Sequence, residues 1–373
     1  MKKRTVVLMD GNPGHEWGKI FADSTLADGT PVRLIQAAWN KVTVTVYDGK
    51  ALMGIAPIYD SDNVDAPNEV NVTPDFFVMR NQVRGPKPGG DFRHVLFGLM
   101  AGHVPAINSL ESEYMNLERP IMFAALKGIE QRLGHDKFPL IPQNYYGTPD
   151  QMVISPDLPC IVKVSHAHAG MGKAIINDQG AWRDLATVLA LHGDYCTAEP
   201  YIDAEYGIRV QKIGPSVRVM KKNYTGSTWK SQFGGSSLEE IEPTEQHKLW
   251  AEECSKLFGG MDILAVDALH GKDGKDYIIE LNATAIGVLA SMWEEESIVL
   301  RDLVLQRMNQ LYCGEEGGTK TEKKGEKKEE EEEKNKKEGK TTKNDKGKGK
   351  GKEKEKDKKK NKKAKSNDKK KGK

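Results

Sequence analysis

Strand-like and helix-like patterns of apolar residues alternate over roughly the first 110 residues of the chain. Residues 5–10 (TVVLMD) and 75–80 (DFFVMR) are continuous apolar runs of the kind that form strands buried on both faces. Residues 42–47 alternate as a strand does, residues 92–101 have helical periodicity, and residues 104–108 form another short strand. This order predicts a doubly wound, Rossmann-like α/β domain.

The same patterns continue to residue 311, now with predicted antiparallel pairs. Residues 206–213 and 216–224 are two strands that turn at Gly214 and Pro215, and residues 225–237, rich in Gly and Ser, form a mobile loop. The remaining predicted strands are 160–164, 174–176, 196–202, 261–269 and 276–281, and the predicted helices are 120–133, 181–191, 244–258 and 288–311.

The segment PCIVKVSHAHAGMGK, residues 159–173, places a lysine inside a buried strand. Lys163 is costly to bury among Cys, Ile and Val unless an anion meets it. The following glycine loop ends in Lys173, and its small residues and free N–H groups suit phosphate oxygens. It is not a Walker A loop, because Ala167 and Ala174 replace the required Gly and Ser or Thr. Nucleotide binding is one hypothesis; a surface lysine beside an ordinary turn is the other.

Ligands of the kind that bind metals gather near the end of the apolar pattern. Asp267 lies in the strand DILAVDAL, and Glu280 and Asn282 share one face of IIELN. The two strands form a hairpin, so the three side chains converge as an oxygen site for Mg²⁺. The alternative is a solvated strand face with Asn282 as a turn residue, but carboxylates inside such apolar runs need cations.

Two further segments suit a nucleotide. Arg209, in a strand, offers fixed donors to a transferring phosphate or acyl-phosphate; alternatively it pairs with Glu199 or Glu205. The run AEPYID offers adenine its backbone groups at residues 199–202, with apolar walls from Tyr201 and Ile202. In the same run Asp203, or Glu205 just after it, would accept from a ribose hydroxyl; a plain solvated connector is the alternative.

Charge divides the chain into an acidic body and a basic tail. Residues 314–373 hold 26 Lys against 15 Asp and Glu, a net charge of +11, which leaves the other residues at −9. The tail has almost no apolar residues, so we expect disorder. Residues 343–373, with 17 Lys against 5 acids, suit an anionic membrane or another polyanion, or merely keep the protein soluble. No aromatics interleave with the lysines, so sequence-specific nucleic-acid binding is not expected.

Cysteine usage and apolar runs point to the cytoplasm. The four cysteines, Cys160, Cys196, Cys254 and Cys313, have no paired spacing and fit reduced thiols. The four-residue apolar run near the N-terminus is too short for a signal peptide, and no stretch is long enough for a transmembrane helix.

Taken in order, these segments resemble the ATP-grasp superfamily, and specifically the nucleotide-binding core of the synapsins. The similarity runs from about Thr5 to Leu311 and includes ERPIMFA, FPLIPQ, KVSHAHAGMGK, TAEPYIDA, RVQKIG and ALHGKDGKD. It implies an ATP-grasp fold of the α/β (α+β) class. The implied divisions are a synapsin-like pre-ATP-grasp domain (1–113), an ATP-binding domain (114–313) and a disordered tail (314–373). The ATP-binding domain consists of a small lobe with a glycine flap (114–202) and a metal-binding lobe (203–313).

The resemblance also implies a role for each matching residue. Arg119 and Lys163 would contact phosphate, and Asp267 and Glu280 would bind the divalent cation, Mg²⁺ or Ca²⁺. The residues that would cover or hold the rest of the nucleotide are the flap (Gly170, Met171, Gly172 and Lys173), the adenine hinge (Glu199, Pro200, Tyr201 and Ile202) and a closing loop (Trp229 and Lys230). Synapsin relatives form dimers and tetramers, which makes a homo-oligomer the expectation.

Two departures from the family pattern bear on function. Animal synapsins typically carry Glu where this chain has Asp267, and they lack an Asn at the position of Asn282, which restores the Glu-x-Asn pattern of active ATP-grasp ligases. In such ligases a carboxylate attacks the γ-phosphate, and an amine or thiol then takes the acyl-phosphate. The chain also starts directly at the core, so the sequence does not support a synaptic-vesicle role.

Three functions therefore compete. The first is a synapsin-like ATP-binding protein, regulatory or associated with vesicles or membranes. The second is an active ATP-grasp ligase with Arg209 as a catalytic residue. The third is a protein that binds polyanions or membrane surfaces through its tail. All three fit a cytoplasmic protein, peripheral on membranes in the first and third cases.

Overall fold

The computed structural model describes residues 3–65, 68–85, 89–167, 170–224, 236–287 and 292–314. The predicted tail, the predicted closing-loop residues Trp229 and Lys230, and the start of the predicted helix 288–311 lie outside these ranges. Seventeen strands and seven α-helices are described in these ranges, and residues 1–316 form one unit. No helix in the described part of the chain is long and apolar enough to cross a membrane.

The N-terminal third contains a mainly parallel sheet and a small antiparallel one. Its elements are β1 (Arg4–Met9), α1 (Trp17–Ile20), β2 (Val32–Ala37), β3 (Val42–Tyr47), β4 (Lys50–Ile55), β5 (Tyr59–Asp60), β6 (Val70–Val72), β7 (Phe76–Met79), α2 (Arg93–Ala101) and β8 (Ala106–Ile107). The larger sheet has the order β5-β2-β1-β7-β8, in which only β5 runs antiparallel to its neighbour, and β3, β4 and β6 form the other. This topology is the predicted Rossmann-like arrangement.

The remainder of the chain builds two antiparallel sheets. Its elements are α3 (Leu110–Asn116), α4 (Arg119–Leu133), β9 (Asn144–Tyr146), β10 (Cys160–Val164), β11 (Lys173–Ile176), α5 (Gln179–His192), β12 (Cys196–Pro200), β13 (Ala204–Ile213), β14 (Ser216–Tyr224), β15 (Ser236–Ile241), α6 (Glu245–Ser255), β16 (Ile263–Gly271), β17 (Asp276–Asn282) and α7 (Trp293–Tyr312). The smaller sheet has the order β11-β10-β12-β9 and the larger β15-β14-β13-β16-β17.

Both faces of the N-terminal sheet are buried, as its continuous apolar strands predict. One face packs on α2 and on the β3–β4 hairpin. The other face, which includes Val6, Leu8 and Phe76, packs on the last helix of the chain through Leu300, Leu303, Val304 and Met308. Each such side chain contributes about 1.5–3 kcal/mol when fully buried. The two ends of the chain thus share one core.

Several element boundaries differ from the predictions. The predicted loop 225–237 runs too far, because its last two residues begin β15, which pairs with β14. The helix predicted to residue 258 ends at Ser255, and Phe258 has a positive φ of 53°. Of the strand predicted over 104–108, only Ala106 and Ile107 pair, with β7. All four cysteines are free, as predicted, and all but Cys313 are buried.

Candidate functional site

A cleft of about 640 Å³ lies over one face of the large antiparallel sheet. Its walls come from β13, β14, β16 and β17, from the flap between β10 and β11, and from Gln82 of the N-terminal domain. Side chains alternate between the two faces along each strand, so residues at every second position of several strands face the cleft together. The charged ones among them therefore lie close to one another.

Two lysines of the small sheet lie side by side. Lys163 on β10 pairs in register with Lys173 on β11 and with Thr197 on β12. Directly paired residues share a face, and like charges in that position repel. Lys163 is only 2% exposed and its ammonium forms an ion pair with the equally buried Glu199. An anion beside the two lysines would relieve their repulsion.

The ion pair with Glu199 does not satisfy Lys163. The contact lacks hydrogen-bond geometry, and one carboxylate oxygen of Glu199 is also buried without a partner among the described residues. Burial lowers the pKa of Lys163 to about 8; Glu199 opposes this shift, and nearby Arg119 and Lys173 add to it. Lys163 is therefore a buried cation with fewer acceptors than its three N–H groups can use.

Arg119, at the start of α4, connects the flap to the large sheet. Its Nε donates to the carbonyl of Ala167 at 2.7 Å, and its Nη2 donates to Glu280 Oε2 at 3.2 Å. Its Nη1 is buried and has no partner in the described part of the chain. The Nζ of Lys173 lies 3.6 Å from the same oxygen of Glu280.

Glu280 is ionised in this setting. Burial would raise its pKa, but Arg119, Lys173 and Lys163 together hold that pKa well below its ordinary value. Three cations thus act on the carboxylate of Glu280. One of them, Lys163, also forms an ion pair with a second carboxylate, that of Glu199. The unpartnered N–H groups of Arg119 and Lys163 can bind further oxyanions.

The large sheet contributes a paired set of charges. Arg209 Nε and Nη2 donate to the two oxygens of Asp267, both at 2.8 Å, and its Nη1 donates to the carbonyl of Ile286 at 2.9 Å. Asp267 therefore raises the pKa of Arg209 further. Asn282 Nδ2 donates to the same carboxylate at 2.9 Å. The partner of Arg209 is thus neither of the two glutamates considered from the sequence.

The predicted cation ligands are neighbours in the sheet. Asp267 pairs with Glu280 across β16 and β17, and Asn282 lies two residues further on. No three His, Cys, Asp or Glu side chains group as a metal set in the described residues. Two carboxylates and one amide are nevertheless a donor set that fits Mg²⁺, because Mg²⁺ takes few protein ligands and completes its shell with phosphate oxygens and water.

The predicted hinge consists of the last two residues of β12, Glu199 and Pro200, and the two residues that follow them. The N–H of Tyr201 already donates to the carbonyl of Pro159 at 3.0 Å, so it is not free for adenine. Asp203 lies at the surface, where its carboxylate accepts from Lys272 Nζ at 3.0 Å. Pro200 and Ile202 are half-buried. Of the hinge residues, Glu199 is the one brought directly against Lys163.

The flap depends on its glycines. Gly170 and Gly172 have φ values of 78° and 68°, which other residues adopt only with strain. The carbonyl of Gly172 accepts from the N–H of Val164 at 2.8 Å, which closes the base of the loop. Met171, between the glycines, is 39% exposed. Gly170 and Lys173 line the cleft.

Some residues at the site were not singled out from the sequence. Lys222 and Tyr224 on β14, and Gln82 after β7, line the cleft. The alternation of side chains along β14 could have predicted that Lys222 and Tyr224 share one face of that strand. Tyr195 donates to Glu118 Oε2 at 2.6 Å, and Glu118 also pairs with Arg84, which ties the small lobe to the N-terminal domain. No sequence pattern predicts this link between three distant segments.

The comparisons with known proteins agree with this geometry. The family described as the synapsin pre-ATP-grasp domain matches residues 1–106, and the synapsin ATP-binding domain family matches residues 108–310. A synapsin of Drosophila melanogaster is 34% identical over 309 residues, which are 81% of this chain and 29% of that protein. The chain thus spans less than a third of that relative. The boundaries predicted at residues 113 and 202 stay predictions.

Solved structures with similar folds are ATP-grasp proteins. A RimK domain ATP-grasp protein from Sphaerobacter thermophilus matches 81% of this chain and 99% of its own, with a TM-score of 0.52 and 14% identity. The ATP-grasp ligase PsnB, complexed with a phosphomimetic precursor variant, Mg and ADP, matches 82% and 99%, with a TM-score of 0.54 and 16% identity. At this identity the likeness concerns the fold, and the predicted ATP-grasp fold is confirmed.

Proposed function

The chain belongs to the synapsin family and carries that family's ATP-binding domain, and from this premise we propose that it holds ATP with a divalent cation in the cleft as a regulatory ligand. Nucleotide occupancy then controls conformation or assembly, with little turnover. One observation carries the proposal: Arg119 and Lys173 pair with Glu280 beside the buried pair of Lys163 and Glu199, and buried N–H groups of Arg119 and Lys163 have no hydrogen-bond partner among the described residues. A triphosphate supplies the oxygens these groups lack.

Each side of the cleft has its own task in this proposal. Arg119, Lys163 and Lys173 bind phosphate oxygens, and the segment after β12 receives the adenine. Asp267, Glu280 and Asn282 would hold Mg²⁺, which when bound neutralises phosphate charge. Arg209 fixes the Asp267 carboxylate in place through its two hydrogen bonds.

Calorimetry tests this assignment directly. ATP is titrated into the full chain with Mg²⁺, with Ca²⁺ and with EDTA, and sedimentation is measured with and without ATP. We expect binding that either cation strengthens and a change in oligomeric state or shape on binding. No binding of ATP under any of these conditions would contradict the proposal.

A second candidate is an ATP-dependent ligase. It is favoured by the Glu280-x-Asn282 pattern beside the fixed guanidinium of Arg209, which would stabilise charge on a transferring phosphate. Incubation with ATP, Mg²⁺ and pools of carboxylates and amines separates the two functions. Phosphate release that depends on one pool supports the ligase, and its absence from every pool supports regulation.

The third candidate concerns residues 314–373, of which only Gly314 lies within the described ranges. We propose that this lysine-rich segment adds affinity for anionic membranes or other polyanions, and that the protein is cytoplasmic and peripheral. Flotation with phosphatidylserine vesicles, and RNA binding at two salt concentrations, are compared for the full chain and for a variant lacking 314–373. Binding that survives the deletion would contradict a role for the tail.

A further inference from the structure

The cleft extends past the residues proposed for the triphosphate. Beyond Arg209, its wall is the face of β14 that carries Lys222 and Tyr224. Lys222 pairs in register with Gly207 of β13, and Arg209 lies two residues from that glycine on the same face. Two cationic side chains therefore occupy neighbouring strands in this part of the cleft.

Lys222 has no hydrogen bond or ion pair with any described residue, although it is half-buried. Burial lowers the pKa of its ammonium group, Arg209 adds repulsion, and only Asp267 opposes the shift. Asp267 makes no ion pair with Lys222; among the described residues its oxygens accept from Arg209 and Asn282. A half-buried ammonium beside a guanidinium is favourable only when an anion lies between or above them.

Gly207 makes room for a second donor at this place. A Cβ on Gly207 would lie 2.7 Å from the hydroxyl oxygen of Tyr224, so any larger residue at this position would displace the hydroxyl. Tyr224 lines the same cleft as Lys222 and Arg209, and burial, with the Asp267 carboxylate, raises the pKa of its hydroxyl. The phenol therefore stays protonated and can donate a hydrogen bond.

Apolar side chains flank these donors. Met220, Leu238 and Ile286 line this wall, and Gln82 faces it from the N-terminal domain. We infer that Lys222 and Tyr224, beside Arg209, form an anion subsite that takes the carboxylate or phosphate group of a second small ligand with a short apolar body. The inference rests on the proposed function only in that ATP occupies the other part of the cleft.

The test uses two probes, inorganic phosphate and butyrate. Each is titrated by calorimetry into the full chain saturated with a non-hydrolysable ATP analogue and Mg²⁺, and into the nucleotide-free chain. We expect one probe to bind the saturated wild type, and Lys222→Gln to weaken it at least tenfold while changing analogue affinity less than threefold. Preference for phosphate or for butyrate identifies the class of the anion.

The matched control is Lys221→Gln. Lys221 is the preceding residue on β14, points to the other face, and places its Nζ 4.2 Å from the ring centre of Tyr206. Lys221→Gln removes the same charge from the same strand but on the face away from the cleft, so we expect probe binding to be unchanged. Lys222→Arg, which keeps the charge, should retain most of the probe affinity, and analogue binding by Lys222→Gln excludes misfolding as the cause of its loss.

Three results would overturn the inference: no probe binds the saturated wild type, Lys222→Gln binds the probe as the wild type does, or Lys222→Gln loses the analogue as strongly as the probe. The last result would make Lys222 part of the triphosphate site. Failure of the proposed function is distinguishable, because the analogue itself would then fail to bind the wild type.

Discussion

The two sheets that meet at the cleft carry their charges in different ways. On the small sheet, Lys163 and Lys173 are forced together by strand register, and Lys163 is buried with incomplete hydrogen bonding. On the large sheet, Arg209 and Asp267 are also paired in register, but their charges are opposite and two hydrogen bonds join them. The lysine pair is under electrostatic strain without a ligand, whereas the Arg209–Asp267 pair is satisfied.

This difference separates binding from positioning. Buried cations without enough acceptors cost free energy that only an anionic ligand returns. A satisfied pair gains little from the ligand, but it fixes the carboxylate that the ligand's cation needs. We therefore expect substitutions on the small sheet to change nucleotide affinity itself, and substitutions on the large sheet to change its dependence on the cation.

The largest effect is expected from Lys163→Met, which should lower ATP affinity more than a hundredfold in calorimetry. It also leaves Glu199 buried and unpaired, which costs about 3–5 kcal/mol of stability. Lys163→Met combined with Glu199→Gln should recover most of the lost stability in urea unfolding without recovering ATP affinity. Wild-type ATP affinity in the double variant would remove the contrast between the sheets.

A smaller effect is expected from Asp267→Asn on the large sheet. The neutral side chain is a weaker cation ligand and a weaker partner for Arg209. ATP affinity with Mg²⁺ should fall about tenfold, since a charged ligand is lost, whereas affinity in EDTA should change little. An equal loss in both conditions would show that this carboxylate acts on the nucleotide without a cation.

The pH dependence of binding should follow Lys163. Its pKa in the folded protein is about 8, below the ordinary 10.5. The nucleotide-free fold therefore gains stability as pH rises from 8 to 10.5, since in this range the unfolded chain holds a proton that the folded chain has lost.

ATP needs the charged lysine, so the affinity for ATP should fall about tenfold per pH unit above pH 8. Lys163→Arg should abolish this fall, because arginine does not titrate there; a persistent fall would point to another group.

The smallest effect is expected from Tyr195→Phe, outside the cleft. It removes the hydrogen bond to Glu118 that ties the residue before β12 to the N-terminal end of α4, which lowers the free energy of unfolding by about 1 kcal/mol. Tyr145→Phe is the control, since that ring is 57% exposed and packs 5.8 Å from Tyr195. A loss in the control as large as in Tyr195→Phe would show that the effect does not depend on the hydrogen bond to Glu118.

Much of the fold follows from the apolar pattern, and the exceptions have physical causes. Strands 42–47, 160–164 and 216–224 are predicted with the bounds found in the structure, because each has a clear period or clear flanking turns. The predicted pattern contained no β2, β4, β5, β6, β9 or β15. Tertiary pairing makes β2 and β15: β2 lies beside β1 in parallel register, and β15 extends the large sheet at its edge.

The candidate site divides in the same way. The alternation of IIELN and the apolar run around Lys163 are local signals, so the residues they carry could be named from the sequence. Which charges pair is not local. Arg209 meets Asp267 across 58 positions and Arg119 meets Glu280 across 161. These pairings depend on strand order, which a single sequence does not fix.

The shared core of the two chain ends has a consequence for synthesis. The N-terminal sheet leaves the ribosome first, but the helix Trp293–Tyr312 that covers one of its faces is made about 200 residues later. Until then, Val6, Leu8 and Phe76 face water or a temporary partner. The N-terminal domain can therefore complete its folding only after the last helix has been synthesised. We expect chaperones to bind, and proteases to degrade, nascent chains shorter than about 310 residues.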